Sequence, residues 1–245
     1  NDDLTLKGEH PNFFRTISYD GAQADLMTSF AKNNLKAKKI ALIHDKGDYG
    51  KGQMELAKKY FEKIGGVEMV LFEGVTTGAV DFSAIVQKIK RSKADVTLWG
   101  GYHSDASKIV SLLKKKRVKT TFFGGDGIYG TEYITLAGKY GEGVYATGPN
   151  DTSNNPLFKE VTARHQKKYN EDPGTFTHNA YACVQALAKA AESAGSLDYD
   201  KMRAALFNNK VDSPLGSIGF DKNGDVVGAG FSVYQIKNGQ YVQVN

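Results

Sequence analysis

Short apolar runs alternate with amphipathic segments through the first part of the chain, from residue 40 to residue 148. Residues 40–44 form such a run, and residues 51–64 follow with apolar side chains at helical spacing. The same alternation predicts strands at 40–44, 67–73, 95–99, 119–123 and 142–147, and helices at 51–64, 82–91, 104–116 and 130–138. Strands separated by helices in this way predict an α/β fold, a doubly wound parallel sheet.

The pattern changes after Gly148-Pro149. Three helices, at 156–170, 177–194 and 199–207, follow one another with no strand predicted between them. The end of the chain is β-rich, with predicted strands at 216–220, 227–236 and 241–244. Asn238-Gly239 separates the last two strands, and Asn-Gly between apolar runs predicts a C-terminal β-hairpin. Helices 156–194 therefore lack predicted strands to cover, which is unusual for a self-contained fold.

Composition narrows the functional classes. The 245 residues are 40% hydrophobic and 24% charged, as in ordinary globular proteins, and no apolar run reaches the ~18 residues of a membrane span. The net charge of +5 raises the question of nucleic-acid binding. Its lysines recur on the polar faces of predicted helices with no recognition motif, so a solvated surface is favoured and no nucleic-acid partner is predicted. Cys183 lies on an apolar helical stripe and is interpreted as a packing thiol.

Three loops at the carboxyl ends of predicted strands carry polar side chains, at 45–52, 100–106 and 124–127. In a doubly wound sheet such loops share one edge, so Tyr49, Tyr102 and Asp126 are predicted to face one crevice. A carboxylate between two phenols suits a cationic or zwitterionic small ligand. The alternative is that these residues only form turns, where Gly and Asp are common.

Catalytic and metal sites are less well supported. The chain has no G-x-S-x-G elbow and no phosphate-binding P-loop, so no enzyme activity and no cofactor are predicted. His44 and His103 fall in two of the three loops, but hydrogen-bonded loop histidines are favoured over metal ligands. The DKNGD segment at 221–225 lacks the full ligand register and the distal Glu of a calcium loop, and a β-hairpin is favoured there.

The chain resembles the branched-chain amino-acid-binding proteins of ABC transporters, the leucine/isoleucine/valine-binding type within the type I periplasmic binding fold. The resemblance covers essentially the whole chain through FFRT, KKIALIHDKGDYGKG, FEGVTTGAVDFSAIVQKIK, LWGGY, FFGGDG, GEGVYAT, NAYACVQALAKA and GSIGFDKNGDVVGAGFSVYQ. It implies a two-lobed protein that closes on a free L-amino acid and delivers it to a membrane permease. The implied location is periplasmic, or extracellular and lipid-anchored in a Gram-positive organism.

The resemblance also assigns roles to residues. Tyr49 and Tyr102 match ligand-contacting aromatic residues of the family, and Asp126 matches the acidic residue that binds the ligand's α-ammonium group. Relatives often have Glu at that position. Phe176, at the start of a helix, matches a residue of the ligand-pocket wall.

The resemblance further implies that residues 17–148 plus 227–245 form the second lobe and that 149–226 are a helical remnant of the first, with 1–16 as an inter-lobe connection. Family members carry an additional βα series that supplies Ser and Thr groups for the ligand's carboxylate. We therefore expect a truncated form with half a binding site, and self-association through exposed helices. The alternative is a ligand-sensing domain of a receptor or regulator with the same fold.

Overall fold

A computed structural model describes residues 1–245 of the protein. The α-helices are α1 (Asp3–Leu6), α2 (Asp20–Asn33), α3 (Asp48–Ile64), α4 (Ser83–Ser92), α5 (His103–Lys115), α6 (Thr131–Ala137), α7 (Pro156–Tyr169), α8 (Thr177–Ala194) and α9 (Tyr199–Asn208). The strands are β1 (Lys39–His44), β2 (Glu68–Gly74), β3 (Val96–Gly100), β4 (Thr121–Gly124), β5 (Tyr145–Pro149), β6 (Val211–Ser213), β7 (Gly216–Phe220), β8 (Val226–Val227), β9 (Phe231–Lys237) and β10 (Gln240–Gln243). No helix is both long enough and apolar enough to cross a bilayer.

The chain divides into two compact units. The first unit comprises residue 1, residues 20–148 and residues 231–245, and the second comprises residues 2–19 and 149–230. The assignment of these units to the lobes of a binding protein, with 1–16 as a connection, stays a prediction.

The first unit is built on a seven-stranded sheet in the order β10-β9-β5-β4-β3-β1-β2. Strands β1 to β5 are parallel, which confirms the predicted doubly wound sheet. The strand order 2-1-3-4-5 reverses direction between β1 and β3. The chain passes from β1 to β2 in one direction along the sheet and from β3 to β4 in the other. Such a reversal opens a crevice at the carboxyl ends of the strands, where α/β sheets bind ligands.

Both faces of this sheet are covered, as the unbroken apolar run of β1 predicts. Ile40 and Leu42 pack on one face with the apolar sides of α2 and α3, such as Met27. Ala41 and Ile43 pack on the other face with α4 and α5. Because side chains alternate along a strand, a strand buried on both faces must be apolar at every position.

The second unit contains a three-stranded antiparallel sheet in the order β6-β7-β8, against which α8 and α9 pack. The prediction that helices 156–194 lack strands to cover is therefore wrong for α8, which packs on β6. The predicted continuous strand 227–236 is also wrong. Gly228 interrupts it with a φ of +97°, and a Cβ there would lie 2.5 Å from the carbonyl oxygen of Ser217. Val226–Val227 consequently pairs with β7, while Phe231–Lys237 joins the first unit's sheet.

The C-terminal hairpin is confirmed. Strands β9 and β10 are antiparallel, and Asn238 and Gly239 form the two-residue turn with φ values of +54° and +72°. Positive φ at both central residues defines the turn that matches the twist of a β-ribbon, and Asn-Gly adopts it at low cost.

The segment before α2 belongs to the second unit through a buried polar cluster. The Arg15 guanidinium lies 2.8 Å from the Asp225 carboxylate and donates to the Thr5 hydroxyl at 2.6 Å. The Thr5 hydroxyl in turn donates to Asp225 at 2.9 Å. Each charged group is thus paired and hydrogen-bonded, as burial requires.

Candidate functional site

The residues predicted to bind a ligand follow three neighbouring strands of the first unit. Tyr49 follows β1, Tyr102 follows β3 and Asp126 follows β4. Since these strands are adjacent and parallel, their carboxyl ends form one edge, which we call the rim. The predicted loop 45–52 is shorter than expected because α3 begins at Asp48, so Tyr49 lies in the first turn of a helix.

The three side chains meet at the rim. The Tyr49 hydroxyl donates a hydrogen bond of 2.7 Å to the Asp126 carboxylate. The rings of Tyr49 and Tyr102 are in contact, with centroids 5.4 Å apart and planes inclined by 41°. Tyr102 is 53% exposed and forms the outer surface of this group. The rim therefore presents an anionic group bordered by two aromatic rings.

Gln23 is a further member of this group that the sequence pattern did not indicate. It lies on α2, is 1% exposed, and its side-chain oxygen is 3.3 Å from the Tyr49 hydroxyl. A tyrosine has only one hydroxyl proton, so the shorter contact to Asp126 receives it. No local signal marks Gln23, because it belongs to an amphipathic helix and is placed by packing.

Burial controls the protonation of the group. Burial raises the pKa of Asp126 above its usual value, and hydrogen bonds from Tyr49 and Gln23 act in the opposite direction. Burial, followed by the neighbouring Asp126, raises the pKa of Tyr49 well above its usual value. Tyr49 is thus a fixed hydrogen-bond donor, and Asp126 is a carboxylate that a cation would stabilise.

Two glycines allow the Asp126 turn to approach α3 and the loop after β3. A Cβ on Gly125 would lie 2.5 Å from the Tyr49 hydroxyl, and a Cβ on Gly127 would lie 2.5 Å from the Gly101 carbonyl oxygen. Neither position can hold a larger residue without moving its neighbours. Glycines in the FFGGDG segment therefore set the distance between Tyr49 and Asp126.

The other polar residues of the loops support the backbone. The Asp45 carboxylate accepts from the Gly47 N–H at 2.8 Å, and the Asp105 carboxylate accepts from the Gly78 N–H at 3.0 Å. His44 packs on Phe72, and burial lowers its pKa. No three His, Cys, Asp or Glu side chains in the structure are grouped as metal ligands.

Phe176 lies in the second unit, directly before α8, and is 42% exposed. Its role as a ligand-pocket residue stays a prediction. Cys183, in the same unit, is half-buried, with its sulfur 3.0 Å from the Thr16 hydroxyl oxygen.

Comparison with known proteins gives consistent matches. The model of a family described as "Periplasmic binding protein" matches residues 2–240. A Leu/Ile/Val-binding protein homolog from Brucella melitensis is 36% identical over 98% of this chain. A leucine-, isoleucine-, valine-, threonine- and alanine-binding protein from Pseudomonas aeruginosa is 33% identical over 95% of it. The chain spans 65% and 62% of the lengths of these two relatives.

Solved structures match over the same extent. The leucine-binding protein LivK from Thermotoga maritima superposes with a TM-score of 0.86 at 25% identity, covering 98% of this chain and 69% of LivK. LivJ from Streptococcus pneumoniae, solved in complex with isoleucine, gives a TM-score of 0.82 at 25% identity over 100% of this chain and 70% of LivJ. The type I periplasmic binding fold expected from the sequence is thereby confirmed.

Proposed function

The chain belongs to the periplasmic binding protein family, and on that premise we propose that it binds a free amino acid of the leucine, isoleucine and valine class. The Tyr49–Asp126 hydrogen bond at the rim is the observation that carries the proposal. The choice of ligand class is supported by the names of the two relatives, a Leu/Ile/Val-binding protein homolog and a leucine-, isoleucine-, valine-, threonine- and alanine-binding protein.

The rim residues suit a zwitterionic amino acid. Ionised Asp126 pairs with the α-ammonium group, because a cation offsets the cost of the partly buried carboxylate. The Tyr49 hydroxyl fixes the carboxylate's orientation through its bond of 2.7 Å. The exposed Tyr102 ring offers an apolar surface to an aliphatic side chain.

We further propose that the protein is the substrate-binding component of an ABC importer and not an enzyme. Its partner is then a membrane permease, and its location is the periplasm or, in a Gram-positive organism, the outer cell surface with a lipid anchor. The proposal rests on family membership and on the names of the relatives.

The chain's own share of the site is proposed to be the half that binds the ammonium group. Each missing charge-assisted bond to the ligand's carboxylate costs ~1.5–3 kcal/mol, so two of them lower the affinity by roughly two to four orders of magnitude. We therefore expect weak binding by this chain alone. Tight binding would refute the half-site account and leave the amino-acid proposal standing.

The test is an NMR titration of the ¹⁵N-labelled chain with leucine, isoleucine and valine, followed at the amides of residues 125–127. We expect saturable chemical-shift changes. Asp126→Asn should lower the affinity for the amino acid by roughly 10- to 150-fold, the effect of losing one charged hydrogen bond. Asp25→Asn, on an exposed helix position, is the matched control and should bind normally. 4-Methylpentanoate, which is leucine without its ammonium group, should not compete. Unchanged binding by Asp126→Asn would refute the assigned role.

We also propose that copies of this chain associate with one another through the second unit. Four apolar side chains on and between α8 and α9 are at least half exposed, namely Val184, Leu187, Leu197 and Tyr199. Contiguous exposed apolar surface of this kind favours protein contacts. Sedimentation velocity at increasing concentration tests the idea, and a strictly monomeric profile would contradict it.

A further inference from the structure

The positive charge of the protein is concentrated in one place. The first unit has 21 basic and 14 acidic residues, and the second has 11 and 13, so the net charge of +5 comes from the first unit. Within that unit, residues 36–39, 90–93 and 114–119 hold three, three and five basic residues and no acidic ones. We call these three segments the cationic edge.

The fold makes the cationic edge continuous. Segment 36–39 ends on the first residue of β1, and segments 90–93 and 114–119 are separated from β3 by two residues and from β4 by one residue; these three strands are neighbours in the sheet. Because the strands are parallel, their amino ends lie together at the edge opposite the rim. The rim segments 45–50, 101–106 and 125–130 carry four acidic residues and one lysine. The unit is therefore polarised along its strands.

Little of this positive charge is neutralised locally. Ten of the eleven basic side chains are exposed, and only Lys39 has a carboxylate partner, Glu68 at 3.5 Å. The nearby Asp95 carboxylate accepts from the backbone N–H groups of Lys38 and Lys39. Lysines in the last turns of α4 and α5 do stabilise the helix ends, but that role needs far fewer cations.

We infer that the cationic edge is a docking surface for an anionic phospholipid bilayer. Nine of its eleven basic residues are lysines, whose compact charges suit a diffuse layer of headgroups. Nucleic-acid sites use arginine forks and stacked aromatic rings, and these segments contain two arginines and no aromatic residue. They also expose no large apolar side chain, so the contact is peripheral and reversible.

The choice of a bilayer over other anionic surfaces rests on the proposed function, which places the protein beside a membrane permease. Docking through the cationic edge turns the acidic rim of the first unit away from the negatively charged surface. The rim then stays open to ligands in solution while the protein remains close to the membrane. Release requires only the loss of weak ionic contacts.

The test is co-sedimentation of the full chain with phosphatidylcholine vesicles containing 0, 20 or 40% phosphatidylglycerol, at low and high salt. Binding should rise steeply with phosphatidylglycerol and disappear at high salt, because screening shortens the reach of the charges. Each surface cation contributes roughly fivefold in affinity. Replacing Lys114, Lys115, Lys116, Arg117 and Lys119 with Gln should therefore weaken binding by at least about 100-fold.

The matched control removes the same charge from the second unit, by Lys→Gln changes at Lys159, Lys167, Lys168, Lys189 and Lys201, and should bind vesicles normally. Lys36→Gln, Lys38→Gln, Lys90→Gln and Arg91→Gln together form a second edge variant, in case the first does not fold. Equal binding by edge and control variants would overturn the inference. So would binding to duplex DNA without binding to vesicles. The leucine titration is independent of this result, so the two proposals can fail separately.

Discussion

The hydrogen bond between Tyr49 and Asp126 provides a sharp test of the site, independent of any ligand. Tyr49→Phe removes the donor 2.7 Å from the carboxylate and keeps the ring that contacts Tyr102. At neutral pH the lost bond is charge-assisted, for which ~1.5–3 kcal/mol is typical. Because Asp126 is partly exposed and water can replace the donor, we expect the lower end, about 1.5 kcal/mol.

The loss should depend on pH. Burial raises the pKa of Asp126 above its usual 3.8, so ionisation of this group destabilises the fold as pH rises through its pKa. In Tyr49→Phe, ionised Asp126 has lost its hydrogen-bond donor and is therefore less stable than in the unmodified protein. Below the usual aspartate pKa the carboxyl group is protonated in both proteins, and the variant loses only a neutral bond, for which the same lower end of the range is about 0.5 kcal/mol. Tyr49→Phe should therefore be more damaging at pH 7 than at about pH 3.

The chain offers a convenient probe for this measurement. Its single tryptophan, Trp99, is fully buried in the core of the first unit, so its fluorescence reports unfolding of the unit that holds the site. Urea unfolding followed at Trp99 gives the free energy of unfolding at each pH. Tyr102→Phe removes an exposed hydroxyl and should cost less than about 0.5 kcal/mol. An equal loss at both pH values, or an equal loss in Tyr102→Phe, would refute the reasoning.

Two other changes test packing in each unit. Arg15→Met leaves the Asp225 carboxylate buried without its cation, so the free energy of unfolding of the second unit should fall by about 3–5 kcal/mol. Urea unfolding followed by far-UV circular dichroism measures this loss. A loss below about 1 kcal/mol would show that the pair is solvated. Gly125→Ala places a Cβ 2.5 Å from the Tyr49 hydroxyl and should abolish leucine-induced NMR shifts at the rim. Gly52→Ala is its control, since a Cβ there meets no atom within 4 Å, and equal leucine binding by both variants would contradict the proposed close approach.

The order of strands and helices in the first unit follows from local patterns alone. Both faces of strand β1 are covered, so adjacent positions must be apolar, and residues 40–43 are all apolar. The Asn238-Gly239 turn was equally predictable, since its positive φ values suit those two residue types. Tyr49, Tyr102 and Asp126 could be grouped because parallel strands bring their following loops to one edge.

The tertiary structure decided what depends on distant neighbours. Gln23 reaches Tyr49 because α2 packs beside α3, and nothing in the sequence around residue 23 specifies that contact. The predicted strand 227–236 is divided because Gly228 passes close to Ser217 and residues on either side pair with different sheets. The sequence pattern indicated only that the lysines lie on solvated helix faces. The three segments of the cationic edge come together because the strands that follow them are neighbours in the sheet. Periodicity records which face of an element is buried, whereas contacts between elements arise only when those faces pack.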